Sequence, residues 1–157
     1  MSEPQLILRP SAKLSRRQRA TAVAAVLIAR IVSFLPPHSL KRVLGLLARS
    51  ARPATYQEAA AAREAVNTVS LACRAREGCL PRSIATAVLC RMDGAWPSWR
   101  TGVRRLPPFE AHAWVEADGR MVAEPYPPDY FISLITVSPE PESAMRPIKR
   151  PTSRAGR

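Results

Sequence analysis

Two residues of this chain have side chains that do covalent chemistry on a carbonyl group, and each stands where the backbone favours it. Cys79 lies in the string Gly78-Cys79-Leu80-Pro81-Arg82-Ser83. Proline is tolerated in the first turn of a helix, because the N–H that it lacks would have no partner there. The residues that follow keep helical spacing, with Ile84, Val88 and Met92 on one line and Ala85 and Leu89 beside it. The pattern predicts a helix with Cys79 at its N-terminus, where free N–H groups and the positive dipole end stabilise a thiolate. Thirty-three residues later, Ala111-His112-Ala113-Trp114-Val115-Glu116 alternates as a strand and runs into the hairpin signal Asp118-Gly119. A thiol on a helix tip facing an imidazole on a strand is a nucleophile with its base. That pair serves hydrolysis or group transfer through an acyl-enzyme.

His112 is the base that the chain offers, since the other histidine, His38, follows Pro36-Pro37 far from the motif. On a strand Trp114 and Glu116 share its face, and Ala111, Ala113 and Val115 point the other way. Trp114 is read as packing. Cys73 and Cys90 fall on apolar helical lines and are read as core. The backbone N–H of Cys79 is the expected donor to a developing oxyanion. For Arg82 two readings stand side by side, contact with substrate or an ion pair on the surface.

The elements that position these groups follow from periodicity and punctuation. A first helix is expected over Lys13–Leu35, capped by Ser15, and it is almost wholly apolar from Ala20 to Ala29. Arg30 interrupts that run, so it is too short and too charged to span a bilayer. A buried helix is the reading adopted, and an interfacial helix on a membrane or a partner is the alternative. Pro36-Pro37 ends it, Ser39 is expected to cap a second helix carrying Leu40, Val43, Leu44 and Leu47, and 49–53 is a linker. A third helix is expected from about Thr55 to Arg76, stopped by Gly78 in the C-cap position. After the Cys79 helix, strands are expected over 99–105, 110–117, 120–124 as hairpin partner, and 131–137.

Composition bounds the rest. The 157 residues support one domain with an ordinary core. Three cysteines in a chain without a convincing secretion signal argue against a disulfide framework and for the cytoplasm. No ligand spacing offers a zinc site, and no cofactor is expected. The formal charge of +12 divides into +8 over residues 1–50, −1 over 51–144 and +5 over 145–157. The Cys/His region is therefore near neutral and the charge belongs to the ends. Aromatic and basic residues are segregated, so nucleic-acid binding is not expected.

The strings CLPRS, G-A-W near the helix end, TGV on a strand and F-x-AHAWVEADGR also carry a family likeness. From about Ala60 to Pro125 the chain resembles the transglutaminase-like leader peptidase of lasso-peptide biosynthesis. The resemblance implies an α+β fold: a helical N-terminal subdomain (1–54), a papain/transglutaminase-like core (55–137) with the Cys helix on a small antiparallel sheet, and a flexible basic tail (138–157). It implies a cysteine peptidase that cleaves a ribosomally made precursor peptide at its leader. Its partners would be a separate leader-recognition protein and an asparagine-synthetase-like cyclase, and membrane contact is not expected. No leader-recognition domain of its own is expected at this length. The family orients its histidine with an acid, usually aspartate, on the following strand. Glu124 stands at that place, twelve residues after His112, with Asp129 and Asp118 as alternatives. The rival functions are a transglutaminase-type acyl transferase, which uses the same triad, and a non-catalytic basic binding module.

Overall fold

The computed structural model describes residues 13–127 and 129–139, apart from the Arg76 side chain. The loose lead-in expected over residues 1–12 and most of the expected tail lie outside the described residues. The protein is α+β, with N-terminal helices and a Cys79-bearing helix packed on a four-stranded antiparallel sheet.

Helix α1 runs over Arg16–Val32, and Ser15 caps it as the sequence predicts. The Ser15 hydroxyl accepts from the Gln18 N–H while the Gln18 side chain accepts from the Ser15 N–H, which satisfies two orphan donors at once. Helix α2 covers Pro37–Ala48, with Pro36 at the cap position and no side-chain cap. Ser39 is therefore not its cap. Pro37 already has the dihedral angle a first helical turn needs, so the helix starts three residues earlier. Within the expected linker, Arg52–Pro53 forms a short strand, β1, that pairs in parallel with β2, Ala95–Trp96.

The helix expected over 55–76 is broken in two. Helix α3 spans Tyr56–Val69 behind a Thr55/Glu58 capping box. The chain then turns extended at Ser70, whose hydroxyl accepts from the Cys73 N–H and caps the short helix α4, Leu71–Arg74. A single 3₁₀ turn, Arg76–Gly78, leads into α5, Cys79–Met92. Gly78 is thus the N-cap of the Cys79 helix rather than the C-cap of its predecessor. Its φ of −82° suits any residue, so conformational freedom is not what the position needs. Space is: a Cβ there would lie 2.1 Å from the Ala72 carbonyl oxygen. We expect Gly78→Ala to lower stability by about 1–3 kcal/mol through forced backbone movement. Denaturant unfolding measures it, and an unchanged midpoint would show that the α4–α5 connection yields freely.

Helix α5 is buried from Arg82 to Cys90 without a break, which is why its apolar residues make no clean stripe. Around it the side chains of α1, α3 and the sheet form one continuous buried cluster running from Ala22 to Val137. The sheet has the order β5-β4-β3-β6, with β3 Ser98–Arg104, β4 Ala111–Ala117, β5 Arg120–Met121 and β6 Phe131–Val137. Two buried tryptophans fasten it, one to the helix and one to β2. Trp99 donates to the Ser83 hydroxyl at 3.0 Å, and Trp96 donates to the Val137 carbonyl at 3.1 Å. The expected hairpin partner 120–124 stops at Met121, although the Val122 N–H still reaches the Val115 carbonyl. Ala123 then takes a left-handed conformation, with φ +51°, and ends the ladder.

Candidate active site

Three elements deliver the candidate side chains to one place. Helix α5 brings Cys79 in its first turn, β4 brings His112, and the bend after β5 brings Glu124. The register explains the bend. Glu116 pairs with Met121 and Ala117 with Arg120, so an unbroken hairpin would set Glu124 opposite Ala113, on the face away from His112. The left-handed Ala123 takes Glu124 out of that register and lets it turn to the imidazole.

His112 Nε2–H donates to Glu124 Oε2 at 3.2 Å. That leaves Nδ1 for the Cys79 thiol, which is hydrogen-bonded to His112 and also accepts from the Ala113 backbone N–H. The second carboxylate oxygen of Glu124 accepts from Arg63 Nη1 at 2.6 Å, and the same guanidinium nitrogen donates to the Val122 carbonyl. The Glu124 side chain is 3% exposed and that of Arg63 12%, so this pair is shielded from water. Arg63, Glu124, His112 and Cys79 form one hydrogen-bonded line across four elements.

The electrostatics follow from that line. Burial works against the charge on His112, but its hydrogen bonds to Cys79 and Glu124 outweigh burial and raise its pKa to about 9. Burial also opposes ionisation of Cys79, yet the hydrogen bonds from His112 and the Ala113 N–H hold the thiol below its usual value. Glu124 is likewise lowered: burial pushes it up, and the hydrogen bond to His112 with the charge of Arg63 more than offsets this. The shifts run in opposite directions, the thiol down and the imidazole up, which is the direction that favours a thiolate–imidazolium pair. Such a site can attack a carbonyl and hand a proton to the departing group. Cys90 shows the contrast, since burial pushes its thiol up to about 12.

Aromatic rings wall the imidazole. Phe131 stacks on it with centroids 4.7 Å apart and planes 19° off parallel, and Tyr126 meets it edge-on at 6.0 Å. Trp114 is buried, stacks on Phe131 and donates to Glu116, in keeping with a packing role. Across the β3–β4 ladder His112 faces Gly102, and Thr101 donates to the His112 carbonyl at 3.1 Å. A Cβ on Gly102 would collide with the Ile132 carbonyl oxygen, so the glycine of the TGV string lets β6 pair with β3 where their register shifts.

The other sequence candidates go elsewhere. Asp118 sits in the hairpin turn and accepts from the Tyr56 N–H at 2.7 Å, capping α3. Asp129 lies before β6, where its backbone carbonyl accepts from Arg105. Arg82 meets neither expectation: it is 9% exposed and donates to the Cys73 and Ala75 carbonyls, tying down the connection that leads to Cys79. Cys73 and Cys90 are buried, as read. Arg63 is the residue that sequence reasoning missed. It falls in line with Ala59 and Val66 on α3, and a cation on a core-facing line asks for a buried counter-charge.

Among the described residues no group of three or more His, Cys, Asp or Glu side chains is placed to hold a metal ion. None of the described helices is long and apolar enough to cross a membrane. No curated protein and no solved structure matches the chain. A family model does: the core domain described as "Transglutaminase-like superfamily" matches residues 22–136, nearly the whole described span. Its reach, from α1 through the Cys79 helix to the last strand, takes in every element that builds the Cys79–His112–Glu124 line, and the chain belongs to the transglutaminase-like superfamily.

Proposed function

We propose that this protein is a cysteine peptidase that removes the leader from a ribosomally made lasso-peptide precursor. The observation that carries the peptidase reading is the buried line from Arg63 through Glu124 and His112 to a thiol at the mouth of α5. Superfamily membership supports thiol acyl-transfer chemistry. The leader-peptidase reading adds the resemblance carried by CLPRS and AHAWVE, in that order and at that separation.

The Cys79 thiolate attacks the scissile carbonyl carbon, and the negative charge moves to the carbonyl oxygen. The backbone N–H of Cys79, at the positive end of α5, is the donor assigned to that oxygen in this reading. The tetrahedral intermediate collapses as His112 gives its proton to the leaving amine, which frees the core peptide's new N-terminus. A thioester to the leader remains. His112, now neutral, takes a proton from water, the hydroxide equivalent attacks the thioester, and the thiolate is restored. Glu124 keeps the imidazole oriented throughout and stabilises its cationic form.

In this reading a stand-alone leader-recognition protein presents the precursor, and an asparagine-synthetase-like cyclase takes the freed core. The boundary between residues 1–54 and 55–137 then divides docking from chemistry rather than two packing units. The three free thiols suit a reducing cytoplasm. The test is incubation of full-length precursor with this protein and the leader-recognition protein, followed by mass spectrometry. Hydrolysis yields two fragments whose masses sum to the precursor plus one water. A fragment heavier by an added amine would mean acyl transfer, and an intact precursor would refute the peptidase.

A further inference from the structure

Helix α1 is turned the wrong way for a helix stabilised only by its own fold. It buries Ala22, Ala25, Val26 and Ala29. Toward solvent it sends Val23, Leu27, Ile28 and Ile31, and Phe34, just beyond its end, is 90% exposed. Burial stabilises in proportion to apolar area, so the larger side chains would be expected inside and the methyl groups outside. Val23, Leu27, Ile31 and Phe34 recur at intervals of four, four and three residues, forming one row about 17 Å long at the α-helical rise. Such a row is how a helix enters an apolar groove of a partner. Leu46 on α2 is exposed as well.

Charge narrows the partner. Between Lys13 and Ser50 there are eight Lys or Arg residues and no Asp or Glu. Arg19 and Arg30 fall, by the helical repeat, on the same side as Val23 and Leu27 and are exposed. A second copy of the chain on this face would set arginine against arginine. A nucleic acid would meet the arginines but leave Ile31 and Phe34 in water. We infer that the outward face of α1 docks into an apolar groove rimmed by carboxylates on the leader-recognition protein, holding the bound leader beside Cys79. This rests on the leader-peptidase reading. Its advantage is effective concentration, because a tethered leader puts the scissile bond near the thiol without further contacts.

The test is calorimetric titration of the purified leader-recognition protein into the full chain. Wild type should bind, and the triple variant Leu27→Ser, Ile31→Ser, Phe34→Ser should bind at least 100-fold more weakly, since apolar anchors carry most of such an interface. Arg19→Glu with Arg30→Glu should weaken binding about 10-fold at low salt and less at high salt. All variants should keep the wild-type rate of Cys79 alkylation, which shows that the fold is intact. Equal affinity of the triple variant overturns the inference, as does absence of wild-type binding. Binding to phosphatidylglycerol vesicles but not to the protein would overturn it in favour of a bilayer. Cleavage of a short junction peptide by the chain alone reports the peptidase separately, so failure of one reading does not hide in the other.

Discussion

Cys79→Ala is expected to lower precursor cleavage by at least about 10⁴-fold, to the level left when a nucleophile is removed and binding remains. The substitution deletes one sulfur at a partly buried helix mouth, so the unfolding midpoint should stay near wild type. In wild type, Cys79 should be the thiol that reacts quickly with iodoacetamide at neutral pH. Cys73 is buried and Cys90 is both buried and held up to about 12. The pH dependence separates two roles of His112. Cys79 is lowered and His112 raised to about 9, so thiolate and imidazolium coexist between those limits. Alkylation, which needs only the thiolate, should rise at the acid limit and stay high above pH 9. Cleavage, which also needs the imidazolium proton, should fall as pH passes about 9. The same shift touches stability. A raised histidine contributes fully below its unfolded pKa of about 6.5 and loses that contribution as pH rises through about 9. In His112→Ala the alkylation onset should move toward an ordinary thiol pKa of about 8.5. An onset that stays where it was would mean that the helix end alone ionises Cys79, and the pair would lose its meaning.

The two reacting groups were legible because each is announced by its own backbone. Pro81 two residues after Cys79 marks a helix start, and strict alternation around His112 marks a strand. The third partner is legible only as a position. Nothing in the residues near Glu124 says that Ala123 takes φ +51° and turns the carboxylate inward, since alanine has no preference for that conformation. The break at Ser70 was hidden for a related reason. Helical spacing continues through Val69 and Cys73, and the serine's hydrogen bond to the Cys73 N–H decides the matter locally. Arg63 belongs to a tertiary relation between α3 and the bend after β5, and no spacing within α3 names its partner. The orientation of α1 was undetermined for the opposite reason. From Ala20 to Ala29 the helix is apolar on nearly every side, so periodicity has no preferred inner face. Packing against α5 chose the alanines, whose small size lets the two helices approach.

Glu124→Gln should separate what the acid does for chemistry from what it does for the fold. Glutamine keeps the shape but loses the charge that stabilises imidazolium, and its amide can present a donor where His112 Nε2–H needs an acceptor. Cleavage is expected to fall about 10²–10⁴-fold, with the fall in kcat rather than in KM, because the Glu124 side chain is only 3% exposed and bonds the imidazole. The fold also suffers. Arg63 is left 12% exposed against a neutral group, and an uncompensated buried charge costs about 3–5 kcal/mol. Adding Arg63→Met removes that charge and replaces it with an apolar chain of similar length. The double variant should therefore recover most of the lost stability and none of the lost activity. Arg63→Met alone should do the reverse of a silent surface change: Glu124 would keep His112 as its remaining charged partner, its carboxyl would rise, and the acid limb of the cleavage profile would move up in pH. A double-mutant cycle on unfolding free energy and on kcat/KM measures both couplings. If stability and activity return together in the double variant, Glu124 is a packing residue with a histidine beside it. If stability returns alone, the carboxylate acts on the imidazole and Arg63 acts through the carboxylate, as the two hydrogen bonds at 2.6 Å and 3.2 Å imply.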